Sequence, residues 1–173
     1  MPPKNAGGAA KPAKPSKRKA ANGYRLPDPL PEGEIITGIT KQKSWRLGKS
    51  IGTGGFGEIY LCSEDTKRKV GEDAGLAMKI EPHENGPLFV EMNFYIRAMQ
   101  PDDVAAFKKA RKIAGTLGVP VHRGSGSHMF KGDKYRFLVM DRYGKDLQAI
   151  FQSGKKLFSD KVAFNLAIKI VRT

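Results

Sequence analysis

Four glycines, Gly52, Gly54, Gly55 and Gly57, stand within six positions of "IGTGGFGEIYL" at 51–61. Further on, one lysine, Lys79, sits inside the strand-like run "LAMKIE", and one carboxylate, Glu91, falls on an otherwise apolar helical stripe. These residue types suit the handling of a polyanion. Glycines let backbone N–H groups approach phosphate oxygens because no Cβ intervenes. An ammonium group neutralises those oxygens, and a carboxylate among apolar neighbours is expensive unless a cation pairs with it. Lys79 is the obvious cation. A hairpin that binds nothing needs one or two glycines, and an exposed strand lysine is the commoner fate of that residue. Four glycines exceed the first requirement, and the helical glutamate counts against the second.

The surroundings narrow the kind of phosphate loop. In a dinucleotide-binding fold the glycines open a helix. Here "EIYLC" follows, a poor helix start and a good strand. A Walker loop fails because Gly48-Lys49-Ser50 lies ahead of the glycines and position 43, where that motif needs a further glycine, is Lys43. What remains is a glycine-rich β-hairpin. Its first strand, "SWRLGKSIG" at 44–52, alternates Trp45, Leu47 and Ile51 on one face. The third strand, at 76–81, sets Ala77 and Lys79 on one face and Met78 and Ile80 on the other. Over 85–99 the period becomes helical, with Leu88, Met92, Tyr95 and Met99 on the stripe and Asn85-Gly86-Pro87 as the start. A second helix is expected at about 101–115, with Val104, Phe107 and Ala110 inward and Lys108, Lys109, Arg111 and Lys112 outward. "GVPVHRGSGSHMFKGDKYRFLVM" reads as strand, Gly-rich turn and strand. It ends at Met140 and runs into the polar linker "DRYGKD", where a nucleotide base could hydrogen-bond to free backbone groups. Helical patterns close the sequence in "DLQAIFQSG" and "SDKVAFNLAIKIV".

The net charge of +14 is uneven. Residues 1–25 carry Lys4, Lys11, Lys14, Lys17, Arg18, Lys19 and Arg25 and no acid, half of the whole excess. This stretch is rich in Pro, Ala and Gly and has little to bury, so residues 1–23 are expected to be a disordered tail. Its cluster "KPSKRK" fits a nuclear import signal or a weak nucleic-acid contact. Aromatic residues are missing from the cluster, so base stacking is not supported. No run approaches the roughly 20 apolar residues of a membrane helix. The lone cysteine, Cys62, suits a reducing compartment and lies in a strand, where a buried structural thiol is expected.

Taken together, "IGTGGFGEIY", "AMK", the helical glutamate and "FLVMDRYG" resemble the N-terminal lobe of a protein kinase. The likeness is closer still: "PEGEIIT", "NGPLFVEMNFYIRA", "LGVP" and "KYRFLVMDRYGKDL" resemble the vaccinia-related kinases, Ser/Thr kinases of the casein-kinase-like group. It covers roughly 24–173. The fold it implies is α+β: a twisted antiparallel sheet with helix C, followed by the first helices of a C-terminal lobe. The implied division is a basic tail at 1–23, an extended lead-in at 24–43, N-lobe and hinge at 44–145, and the start of an incomplete C-lobe at 146–173.

By that resemblance, Gly52, Thr53, Gly54, Gly55, Phe56 and Gly57 cover the phosphates of ATP, and Ile51 and Ile59 pack on the adenine. Ala77 lines the adenine pocket. Lys79 holds the α- and β-phosphates while paired to Glu91. Met140 is the gatekeeper, and the backbone at Asp141 and Tyr143 binds the adenine edge. The implied partners are ATP, with Mg²⁺ in the full-length kinase, and chromatin-associated or other nuclear protein substrates. The implied protein is a monomer of the nucleus, with some cytoplasmic presence. A kinase also needs a catalytic loop with an Asp base and an Asn for Mg²⁺, then an Asp-Phe-Gly or Asp-Tyr-Gly motif. None stands in residues 1–173, so the chain is expected to be a piece of a longer kinase, inactive alone, with no metal ligand of its own. The rival expectation is a catalytically silent pseudokinase or scaffold. The intact glycines, Lys79 and Glu91 weigh against it.

Overall fold

A computed structural model describes residues 18–39, 43–154 and 157–171. Six strands form one antiparallel sheet: β1 (Ile35–Thr37), β2 (Ser44–Thr53), β3 (Glu58–Ser63), β4 (Leu76–Pro82), β5 (His122–Phe130) and β6 (Asp133–Asp141). The spatial order is β1-β2-β3-β4-β6-β5. Helices α1 (Pro87–Ala98) and α2 (Pro101–Ala110) lie between β4 and β5, and α3 (Leu147–Ser153) and α4 (Asp160–Val171) follow the sheet.

Strand alternation sorts the core onto two faces. On one face Trp45, Leu47, Tyr60, Cys62, Met78, Ile80, Phe137 and Val139 pack with Leu30 and Ile36 from the lead-in. Burial pushes the Cys62 thiol up to about 12, so it is an inert structural group. On the other face Leu88, Met92 and Tyr95 of α1 pack with Met99, Val104 and Leu138. The expected helical stripe is therefore the buried one. The lead-in is more than a wrapping segment, because β1 pairs with β2 from Ile35↔Arg46 to Thr37↔Ser44.

Several expectations are corrected. Ile51 does not continue the face of Trp45 and Leu47. A bulge between Leu47 and Ser50 takes up an extra residue of β2, and Ile51 emerges exposed. The glycines of "GSGSH" are not a turn; β5 runs straight through them. A Cβ at Gly124 would lie 2.2 Å from the Trp45 ring, and one at Gly126 would lie 2.9 Å from Phe137. They are glycines because two large rings press on the strand. The turn comes later, at Lys131 (φ 49°) and Gly132 (φ 83°), the paired positive φ values of a tight hairpin. The second helix stops at Ala110, Lys112 takes a positive φ, and only Val104 of its expected inner face is buried; Phe107 and Ala110 are exposed. Of the expected tail, residues 1–17 lie outside the described residues. Residues 18–23 contact the domain, since Arg18 donates to Glu58 and a bridge joins Lys19 to Arg25.

Among the described residues no helix is long and apolar enough to cross a membrane. Neither α3 nor α4 buries a residue, and Phe164, Ile168 and Ile170 stand exposed.

Candidate nucleotide site

The glycine loop is the bend between β2 and β3, closed by the Gly54 N–H donating to the Gly57 carbonyl at 2.8 Å. The four glycines are not equivalent. A Cβ at Gly57 would fall 2.2 Å from the Ile80 carbonyl oxygen, so the hairpin's return limb rests directly on the β4 backbone. A Cβ at Gly52 would meet nothing within 4 Å, and one at Gly54 would meet only the Gly57 carbonyl oxygen at 3.8 Å. Local packing explains Gly57 and leaves Gly52 and Gly54 facing open space. Those two positions leave room for a ligand to approach the backbone closely.

Register places the other candidates. Gly52 pairs with Ile59, Ile59 with Lys79, and Lys79 with Leu138, a row across four strands. Directly opposed residues point to the same face, so Ile59 and Lys79 lie on one side of the sheet. Ala77 and Met140, also paired with each other, share that face by alternation. Met140 is partly buried against the α1 cluster. The Lys79 ammonium donates to Glu91 Oε2 on α1, with the two side chains 25% and 31% exposed. The pair is half-open to water, and it ties α1 to the sheet.

Helix α1 is aimed by a group absent from the sequence-based expectations. Gly86 provides no side-chain cap. Instead Glu81, fully buried, accepts a hydrogen bond from the Leu88 N–H at 2.9 Å, using a carboxylate on an unsatisfied helix N-terminus. Burial raises the Glu81 pKa, while Lys79 and Arg136 act to lower it. Glu81 stands two residues past Lys79 on the same strand face, the signal in the sequence that could have found it. Asn85 was also more than a helix start: its side chain donates to the Phe56 carbonyl at 3.1 Å.

At the far end of β6 the Arg142 N–H donates to the Gly75 carbonyl at 2.9 Å. Strand alternation turns the backbone groups of Asp141, the last residue of β6, the other way. The Asp141 side chain is engaged elsewhere, accepting from Arg123 Nε at 2.7 Å. Tyr143 and Ile51 are exposed, and Thr53 and Phe56 belong to the hairpin end. The structure thus brings Ile59, Ala77, Lys79, Glu91 and Met140 to one face and leaves Ile51 and Tyr143 at its margins. Among the described residues no group of three or more His, Cys, Asp or Glu could hold a metal ion.

Comparison with known proteins gives the same picture. The chain is 40% identical over 167 residues to nucleosomal histone kinase 1 of Drosophila melanogaster, covering 94% of this chain and 27% of the relative. It is 42% identical over 149 residues to human serine/threonine-protein kinase VRK2, covering 86% of this chain and 28% of that protein. The solved structure of vaccinia related kinase 3 superposes with a TM-score of 0.63 at 28% identity, over 76% of this chain and 37% of that one. The chain matches the N-terminal lobe of the vaccinia-related kinase fold. The chain spans just over a quarter of the length of those two curated relatives. No family model matches it.

Proposed function

We propose that this lobe binds ATP for a Ser/Thr protein kinase acting on chromatin-associated proteins. The observation that carries the reading is the Lys79–Glu91 ion pair, on the sheet face reached by the open glycines Gly52 and Gly54. Phosphoryl transfer relies on positioning and charge neutralisation rather than on covalent chemistry by the protein. In this reading the N–H groups of the glycine hairpin cover the phosphates. Lys79 neutralises the α- and β-oxygens, and Glu91 fixes the direction of the lysine. Ile59, Ala77 and Met140 form an apolar bed for the base, with Ile51 at its rim. The backbone carbonyl of Asp141 and N–H of Tyr143 bind the base edge. ATP, when bound with Mg²⁺, supplies the phosphoryl group and the counter-charge; the residues of this chain bind and orient. Open space over Gly52 and Gly54 fits such a group, and no metal ligands are assigned within the chain.

The Drosophila relative is named for nucleosomal histone, and "KPSKRK" supplies a dense cationic cluster. Both support a nuclear protein with chromatin-bound substrates and a weak nucleic-acid contact through the tail. A polypeptide of residues 1–173 alone is expected to be inactive, because the base and metal ligands of a kinase are not among its residues.

The test is Lys79→Ala and Glu91→Ala in the full-length protein that contains this lobe, with transfer to a histone substrate as readout. Loss of preorganised charge at the phosphates is expected to lower activity about 100-fold or more at unchanged melting temperature. Phosphorylation at the wild-type rate by Lys79→Ala would overturn the reading.

A further inference from the structure

We propose that residues 18–30 form a strap that positions the glycine hairpin, with Tyr24 and Asn85 as the positioning residues. This inference rests on the ATP-binding reading above. The strap has one end fixed on the sheet. Leu26 and Leu30 are buried, the Leu30 N–H donates to Tyr60 Oη at 3.1 Å, and Arg25 pairs with Glu84 at 2.6 Å and with Asp133 at 2.5 Å. Its other end folds into a small turn, with the Ala20 N–H donating to the Tyr24 carbonyl and Gly23 at φ 84°.

That turn lies against the tip of the hairpin. The Tyr24 ring meets Phe56 edge-on, with centroids 4.9 Å apart and planes at 78°. A Cβ at Gly55 would fall 2.8 Å from Asn22 Nδ2. Behind the tip, Asn85, only 7% exposed, donates through one amide nitrogen to both the Phe56 carbonyl at 3.1 Å and the Arg25 carbonyl at 2.8 Å. Its own backbone carbonyl accepts from the buried Arg136 at 3.0 Å, which fixes the asparagine in turn. At the hairpin's roots, Arg18 donates to Glu58 Oε2 at 3.1 Å, while Ser50 donates to Glu58 Oε1 at 2.7 Å. Strap and hairpin are thus joined at the tip and at the β3 limb, where Glu58 also ties the two limbs together through Ser50.

The physical consequence follows from the glycines. A loop with four glycines in six positions has much conformational freedom, and binding a polyanion beneath it requires that freedom to be lost. Contacts that order the tip in advance lower this cost and tighten binding without touching the ligand. Tyr24 and Asn85 do this from the side of the hairpin held by the strap.

The experiment uses the full-length protein with Tyr24→Ala and Tyr24→Phe. Tyr24 is 40% exposed, so neither change threatens the fold. Two quantities are read: hydrogen exchange at the amides of residues 52–57 without nucleotide, and the steady-state dependence on ATP. Tyr24→Ala is expected to speed exchange in the hairpin and to raise KM for ATP about two- to tenfold, more than it lowers kcat. Tyr24→Phe keeps the ring edge and is expected to behave as wild type. Unchanged exchange and KM in Tyr24→Ala, or failure of Tyr24→Phe to restore them, would overturn the strap. A wild type that takes no ATP, with exchange still accelerated in Tyr24→Ala, would uphold the strap and overturn the kinase reading instead.

Discussion

Replacing the loop glycines one at a time by alanine separates those that the fold needs from those that a ligand needs. At Gly57 the new methyl would sit 2.2 Å from the Ile80 carbonyl oxygen, 3.1 Å from its carbon and 3.4 Å from Glu81 Cα. All three atoms are backbone, so no side chain can turn away; β3 and β4 must separate locally. Overpacking of this kind costs about 1–3 kcal/mol. At about 2–4 °C per kcal/mol for a chain of this size, Gly57→Ala is expected to melt about 2–12 °C below wild type. Gly52→Ala meets nothing within 4 Å and needs no positive φ. It restricts the unfolded chain, so its stability is expected to equal wild type or exceed it by up to about 1 kcal/mol. Its ATP affinity is expected to fall, because the methyl occupies the space over the hairpin where the backbone meets phosphate. Thermal melting and nucleotide titration of the full-length variants check both halves. Equal melting of Gly57→Ala and wild type would refute the packing argument. Undiminished ATP affinity in Gly52→Ala would refute the assignment of the open glycines to a ligand.

Other perturbations have equally definite outcomes. Burial raises the pKa of the Glu81 carboxyl above that of an ordinary glutamate, so the folded state binds more protons than the unfolded one between that ordinary value and the folded pKa. Stability attributable to Glu81 therefore falls as pH rises through that window, and Glu81→Gln is expected to flatten this slope in melting curves. A steeper slope in the variant would refute the sign. Gly124→Ala drives a methyl to within 2.2 Å of the Trp45 ring and is expected to destabilise the lobe by about 1–3 kcal/mol, measured by urea titration. Residues 1–23, which contain the whole "KPSKRK" cluster, fused to a fluorescent reporter are expected to concentrate it in nuclei, and a uniform cytoplasmic signal would remove the basis for that localisation.

The sequence alone determined the elements whose signals are local. Glycine spacing followed by β-branched and aromatic residues specified a hairpin rather than a loop opening a helix. The 3.6-residue recurrence of Leu88, Met92, Tyr95 and Met99 specified the buried face of α1, and Glu91 on that stripe demanded the cation that proves to be Lys79. Tertiary structure decided whatever depends on residues far apart in the chain. Gly124 and Gly126 read as a turn because glycine commonly marks one; only the rings of Trp45 and Phe137 pressing on β5 show why a strand carries them. Ile51 left its expected face because a bulge, invisible to a period of two, shifted the register. Glu81 could be placed on the face of Lys79, but its bond to the Leu88 N–H exists only once α1 docks on the sheet. The strap was legible only as the end of an expected disordered tail, residues 18–23, followed by a proline-rich lead-in. Its hold on Phe56 comes from Tyr24 and Asn85, brought together by a fold that buries Leu26 and Leu30, since sequence patterns report which face is apolar and not which distant surface will cover it.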